Sequence, residues 1–319
     1  MLFGAPGEWS LRRCTNHHCL LLWLDPQPIE EDIGRAYAKY YTHQSRTAGS
    51  SLPKRIFRSV KASYLRSRLG YEKATYGTAW RWLAPFGNLH PGGGAAFAAT
   101  VMFLPAPKAV SSLLDVGCGA GDLMARMREL GWEVTGVETD PIAVGRARAR
   151  QLEVHQGELE SAGFAAMSFD AITMAHVIEH VHDPHRLLAQ CRRILKPKGT
   201  LVVTTPNTSS WGHRHFGRDW RGLEPPRHLH MFNPYNVRQL LESAELQPSR
   251  VATFAINASA IWPASAAIRR SRSSRGNARE AVGLRTTMAG VARQLAERLM
   301  LSVDPSAGED LLAVATRVA

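Results

Sequence analysis

The run Leu113-Leu114-Asp115-Val116-Gly117-Cys118-Gly119-Ala120-Gly121-Asp122 decides how this chain folds. Its first four residues carry an apolar strand signal, and three glycines then turn the backbone into the helical stretch Asp122–Leu130. Glycine is needed where φ must be positive or where a ligand comes too close for a Cβ. The helix that follows offers unpaired N–H groups at its start. A dinucleotide site would read G-x-G-x-x-G, with a pyrophosphate on that helix end. Here the third glycine comes one residue early, and Asp122 stands where that pattern wants glycine. An acid repels a pyrophosphate, whereas Asp115 and Asp122 would both suit a ligand bearing sulfonium and ammonium groups. Glu138 closes the next strand signal 21 residues after Gly117 and can accept from both hydroxyls of a ribose.

Outward from this loop, strand signals at Leu113–Val116, Glu133–Val137, Phe169–Thr173 and Thr200–Thr205 alternate with helical stretches at Asp122–Leu130, Asp140–Gln151 and Arg186–Leu195. That is the βαβ rhythm of a mostly parallel sheet covered on both faces. A helix over Asn236–Ala244 and strands over Val251–Ile256 and Leu311–Thr316 follow, with a polar, Arg-rich helical insertion between those two strands. Near the N-terminus, Pro53–Leu69 has apolar residues at helical spacing among six Lys and Arg. His90-Pro91-Gly92-Gly93-Gly94 reads as a connector.

The motifs resemble those of class I S-adenosylmethionine-dependent methyltransferases. Asp115 to Gly121 with Gly136-Val137-Glu138 is similar to the first two motifs of that family. Ser168-Phe169-Asp170-Ala171-Ile172 leading into His176-Val177-Ile178-Glu179-His180 resembles its fourth-strand motif. Leu195–Leu201 and Thr205-Pro206-Asn207 resemble the segments around its fifth strand, and Trp220–His228 a loop of the relatives akin to ubiquinone-biosynthesis O-methyltransferases. The resemblance covers roughly residues 111–260 and the last strand. It implies an α/β fold, a doubly wound, mostly parallel seven-stranded Rossmann-like sheet with the last strand antiparallel. It implies S-adenosylmethionine as methyl donor, with Asp115 in the first motif. Gly117, Gly119 and Gly121 would cradle the methionine part, Glu138 the ribose, and Glu158-Leu159 would lie beside the adenine. On this reading residues 1–105 form an N-terminal region with basic helices. Residues 106–319 form the methyltransferase domain, with an acceptor loop at 206–232 and the Arg-rich insertion at about 262–305.

Methyl transfer from a sulfonium needs alignment, exclusion of water and a base for an acceptor that carries a proton. His176, Glu179, His180 and His228 are the candidate catalytic residues, with His230 in the same loop. A plainer reading has Glu179 and His180 pinning their loop to the next helix. His176, His180, His182 and His185 also allow a metal reading, but no H-E-x-x-H is present, and a histidine-rich turn is more often solvated. The acceptor is expected to be a small molecule, methylated at oxygen. Cys118 and Cys191 have no base partner that would make them nucleophiles. Cys14-Thr15-Asn16-His17-His18-Cys19, ahead of Tyr37, Tyr40 and Tyr41, is similar to half of a zinc-ribbon-like module found in some relatives. With no first Cys pair upstream, either the module has decayed or Met1 is an internal start, and packing is favoured over zinc.

The chain has 319 residues and a formal net charge of +12. Residues 33–82 carry 11 basic side chains against one acid, whereas residues 111–260 carry 16 of each sign. The excess therefore lies outside the sheet-forming middle. It makes an anionic membrane surface or a nucleic acid a candidate partner of residues 33–82. The alternative function follows from it: a basic membrane-surface or RNA-binding protein that keeps the fold without turnover. Four cysteines and no apolar run of about 20 residues point to a cytoplasmic protein, peripheral at most to the membrane. An NAD-linked oxidoreductase is disfavoured by Asp122 and the missing glycine.

Overall fold

The computed structural model describes residues 8–29, 32, 52–74, 86, 87, 89–273 and 284–318. Two short strands come first, β1 (Leu11–Arg13) and β2 (Leu22–Leu24), then helices α1 (Leu52–Leu69) and α2 (Gly93–Ala99). The alternating part comprises β3 (Ser112–Val116), α3 (Asp122–Glu129), β4 (Glu133–Glu138), α4 (Pro141–Ala149), β5 (Glu153–Gln156), β6 (Phe169–Ala175), α5 (Pro184–Ile194) and β7 (Leu195–Pro206). After it come α6 (Trp211–Phe216), β8 (His230–Met231), α7 (Pro234–Ser243), β9 (Leu246–Phe254), α8 (Ala258–Ser273), α9 (Leu284–Met300) and β10 (Asp310–Arg317). Seven strands form one sheet in the order β5-β4-β3-β6-β7-β10-β9, mostly parallel with one antiparallel edge pair, while β1, β2 and β8 form a separate three-stranded sheet. The doubly wound sheet expected from the sequence is therefore present.

By contact density the chain divides into two compact units. One comprises Tyr41–Ala175, Ala189–Val202 and Thr316–Ala319. Its centre is β3, paired in parallel with β4 on one side and β6 on the other. Leu113 and Leu114 are fully buried, as a strand covered on both faces requires. Met124, Val144, Ala147, Leu152 and Val154 pack with Cys118 behind the glycine turn. Asp140 caps α4 by accepting from the Ile142 N–H at 2.8 Å.

The other unit comprises Met1–Tyr40, His176–Leu188 and Val203–Ala315. Its core joins Phe216, Trp220 and Leu223 to Trp262, Ala258 and Met231. Asn233 caps α7, and its side-chain amide donates to the Cys19 carbonyl at 2.8 Å, holding the β1–β2 turn. Among the described residues, Cys14 and Cys19 belong to no group of three metal-ligating side chains. Nor is any described helix long and apolar enough to cross a membrane.

One strand extends past its sequence signal and another carries none, for one physical reason. The strand expected at Val251–Ile256 runs over Leu246–Phe254, and Glu153–Gln156 is a strand with no sequence signal of its own. Both are sheet edges, where few positions are buried and the apolar run is diluted. The fifth strand starts at Leu195 instead of Thr200, running through Lys196-Pro197. Tyr37, Tyr40, Tyr41, residues 33–51 and 75–82 of the basic region, and residues 274–279 of the Arg-rich segment lie outside the described residues.

Asp170 staples the start of three strands. Its Oδ2 accepts from the Ser112 N–H at 2.8 Å, the Ser112 hydroxyl at 2.9 Å and the Lys196 ammonium at 2.7 Å. Desolvation pushes its pKa upward, but the Lys196 and Ser112 donors outweigh that and hold it below the ordinary value. A carboxylate depressed in this way stabilises the fold above its unfolded pKa and loses that contribution as pH falls. Asp170→Asn should therefore lower the thermal midpoint at pH 7, and the gap to wild type should close as melts are repeated below about pH 4.

Candidate active site

The glycine turn is built by the backbone. Gly117 and Cys118 both donate N–H bonds to the Val137 carbonyl, at 2.8 and 3.1 Å, which ties the exit of β3 to β4. Gly119 follows at φ +55°, and its N–H donates to Oε2 of Glu138 at 2.8 Å. A Cβ on Gly119 would meet nothing within 4 Å, so this face of the turn is open. Gly121, at φ +78°, is closed instead, because a Cβ there would collide with Leu152 and press on Ala147. The first positions of the turn can thus face a ligand, while the last is glycine for packing.

The acids of this region divide. Oε1 of Glu138 accepts from the Asp140 N–H at 2.9 Å and from the Thr139 hydroxyl at 3.4 Å, and the half-buried carboxylate keeps acceptor capacity. Asp115 is buried and takes the Thr173 hydroxyl at 2.8 Å. Burial pushes its pKa up to about 7, against the Thr173 bond and with help from the Glu138 charge. Asp122 is 84% exposed and paired at 2.7 Å with Arg150, which also donates to the Ala120 carbonyl. Its charge is thus neutralised locally, and the sequence argument that it favours a cationic ligand loses force. Glu158 is exposed, and Leu159 is buried. Burial raises the Cys118 thiol, and it raises that of Cys191 to about 12, so neither is a thiolate at neutral pH.

The other candidates lie in the second unit. His176 adopts φ +56° directly after β6, and its Nδ1 sits 3.2 Å from Oε1 of Glu179. Glu179 is 1% exposed, and its Oε2 accepts from the Thr205 hydroxyl at 3.0 Å. Burial alone would raise its pKa, but the bond from His176 and the neighbouring histidines hold it at about 2. For His176 the sign reverses, since desolvation would lower its pKa but Glu179 raises it above the ordinary value. The imidazole is nevertheless reachable, with its side chain 44% exposed.

His180 and His228 meet edge to face at 4.7 Å. Their Nδ1 atoms lie 2.9 Å from the Arg227 carbonyl and 2.7 Å from the Gly222 carbonyl. Those acceptors assign the Nδ1–H tautomer and make Nε2 the acceptor nitrogen of each ring. Burial and the charge of His180 push His228 down to about 4, so it is neutral at pH 7. Ligand atoms of Glu179, His180 and His228 all lie within 4.8 Å of one another, a set able to hold a metal ion. This differs from the sequence-based metal reading, because His182 bonds to the Pro28 carbonyl and His185 to Ser243.

Sequence reasoning passed over Thr205 as the partner of Glu179, and Glu224 altogether. Glu224 is buried at φ +34°, with its carboxylate against Arg221 at 2.5 Å and Arg227 at 2.7 Å. A non-glycine residue at positive φ is legible only from coordinates. The Trp-rich loop packs inward, since Trp220 is 2% exposed and its indole N–H donates to Glu309 at 2.7 Å.

A family model described as a methyltransferase domain matches residues 93–250. A ubiquinone biosynthesis O-methyltransferase of Cereibacter sphaeroides is 33% identical over 156 residues, covering 45% of this chain and 63% of that protein. Its counterpart in Xanthomonas oryzae pv. oryzae is 34% identical over 148 residues, covering 42% and 62%. The chain thus spans just under two thirds of the length of these relatives. A solved S-adenosylmethionine-dependent methyltransferase from Mesorhizobium loti aligns over 71% of this chain and all of its own, at 19% identity and a TM-score of 0.48. Through residues 93–250, this chain carries a class I S-adenosylmethionine-dependent methyltransferase domain.

Proposed function

We propose that the protein transfers a methyl group from S-adenosylmethionine to a hydroxyl of a small molecule. The observation that carries this reading is the open glycine turn bonded to Glu138, in a segment about one third identical to enzymes named for O-methylation in ubiquinone biosynthesis. Bound S-adenosylmethionine would supply a methyl group on a sulfonium centre, ready for in-line displacement by the acceptor oxygen. The Gly117–Gly119 backbone would lie along its methionine part, Glu138 would accept from its ribose, and Leu159 would give an apolar wall beside Glu158. Asp115, buried and bonded to the Thr173 hydroxyl, would support the turn.

His176 is the proposed base. Glu179 fixes its Nδ1–H, and Thr205 fixes Glu179, so Nε2 is the atom that receives the acceptor proton. His180 and His228 would give a polar surround. The set Glu179, His180 and His228 supports a second reading, in which a divalent cation held there acidifies the acceptor hydroxyl. This proposal also keeps an anionic surface as a partner of residues 33–82, on the strength of Ile56 and Phe57, 49% and 46% exposed on α1 among its basic residues.

Calorimetric titration with S-adenosylmethionine should show saturable binding, weakened at least about tenfold by Glu138→Ala through loss of a charge-assisted hydrogen bond. Wild type and variant behaving alike, or neither binding, would count against the cofactor reading. With labelled methyl donor and a catechol as acceptor probe, His176→Ala should lower kcat by about 10²- to 10⁴-fold. A base works only when neutral and the His176 pKa is raised, so the wild-type rate should climb with pH through a midpoint above 6.5 and then level off. That limb should vanish in His176→Ala. Activity surviving thorough chelation favours the histidine base, and loss restored by a divalent cation favours the metal reading.

A further inference from the structure

Within the unit that holds residues 203–315, and among the described residues, three carboxyl groups are buried without a cation bonded to them, and two of these share one contact network. Glu309, just before β10, is 2% exposed, and Glu297 on α9 is fully buried. Oε2 of Glu309 accepts from the Trp220 indole at 2.7 Å and from the Ser210 hydroxyl at 3.1 Å. Its Oε1 is buried with no hydrogen-bond partner and lies against Gly212, where a Cβ would collide with it. Glu297 accepts from the Trp262 indole at 3.0 Å and from the Glu309 backbone N–H at 2.7 Å. The two acids therefore fasten four pieces of chain: the Trp220 loop and α6 through Glu309, and α8 and the start of β10 through Glu297.

Among the described residues, the charged neighbours have other partners. From β10, Asp310 accepts from the Ile256 and Asn257 N–H groups and from the Asn257 amide. From α6, the His213 ring lies 5.0 Å from that of Trp220 while its Nδ1 bonds to the Thr208 carbonyl, and Arg214 pairs with Asp304. His215 stacks on Trp262 at 5.2 Å, and the Arg293 guanidinium from α9 lies 5.1 Å from the same ring. Arg269 from α8 lies over Phe216 and pairs with Asp219.

An ionised Glu309 would place charge on an oxygen that no donor reaches, the costliest form of buried polar group. The neutral acid carries no charge there and leaves only the smaller cost of one unpaired polar atom. Burial, reinforced by Glu297, raises the Glu309 pKa to about 8, and burial raises that of Glu297 to about 7.

We propose that Glu309 and Glu297 are a proton-held latch, which as neutral acids fastens the Trp220 loop and the α8–α9 pair and which loosens when Glu309 gives up its proton. The proton passes to water, and no other reactant is needed. An acid whose pKa is raised on folding contributes most below its unfolded value and loses that contribution as pH rises through the folded value. The latch is therefore closed in acid and opens as Glu297 and then Glu309 ionise, between about pH 7 and about pH 8.

The test uses the full chain without substrate, so it stands apart from the methyltransferase reading. Thermal midpoints and tryptophan emission are measured from pH 5.5 to 9.5. The wild-type midpoint should fall on the order of 10 °C across this range, with a red shift of emission centred near pH 8. Glu309→Gln should flatten the profile above pH 7. Trp220→Phe removes a donor that favours the carboxylate, so it should move the transition to higher pH. A wild-type midpoint flat between pH 6 and 9 would overturn the latch, as would an unchanged slope in Glu309→Gln. If Glu309→Gln does not fold, Trp220→Phe decides, and a transition that stays in place rejects the proposal.

Discussion

One hydrogen bond, from the Gly119 N–H to the Glu138 carboxylate, organises the glycine turn at the end of β3. It joins the exit of β3 to the end of β4 after the Val137 carbonyl has taken the preceding two N–H groups. Such a bond to a charged acceptor contributes about 1.5–3 kcal/mol. It forms only because the backbone at Gly117 and Gly119 has positive φ, a region that L side chains rarely enter. The chain thereby presents backbone and a carboxylate together, with nothing of its own above Gly119.

Much of this was legible in the sequence, and the legible parts share a cause. β3 and β6 are central strands, where both faces are covered and apolar residues run together. The glycine turn was legible because φ > 0 filters residue types so strongly. The edge strands Glu153–Gln156 and Leu246–Phe254 were hard to delimit because few of their positions are buried. The β1–β2–β8 sheet was illegible, because its strands are two or three residues long and β8 lies about 200 residues from its partners. Thr205 bonding to Glu179, and Glu309 bonding to Trp220, are likewise products of tertiary contact that no local pattern records.

The unit holding residues 203–315 shows two answers to the problem of burying an acid. Glu179 and Glu224 are surrounded by histidines and arginines, and their pKa values fall. Glu297, Glu309 and Asp310 receive only neutral donors in direct contact, and burial drives their pKa values up. The first group is held ready as charge beside the reachable His176. Of the second group, Glu309 and Glu297 fasten Trp220 and Trp262, and Asp310 fastens the Ile256–Asn257 turn. The +12 net charge of the chain describes neither, since the buried groups of both kinds are mainly acids and the basic excess lies in residues 33–82 and the Arg-rich segment.

The most direct test of the central claim is amide hydrogen exchange of the full chain with and without S-adenosylhomocysteine. Slowed exchange at Gly117 to Gly121 and at Glu138 to Asp140, little changed elsewhere in β3 and β4, is the predicted result. Unchanged exchange across these residues under saturating ligand would contradict the claim that this turn is the cofactor site.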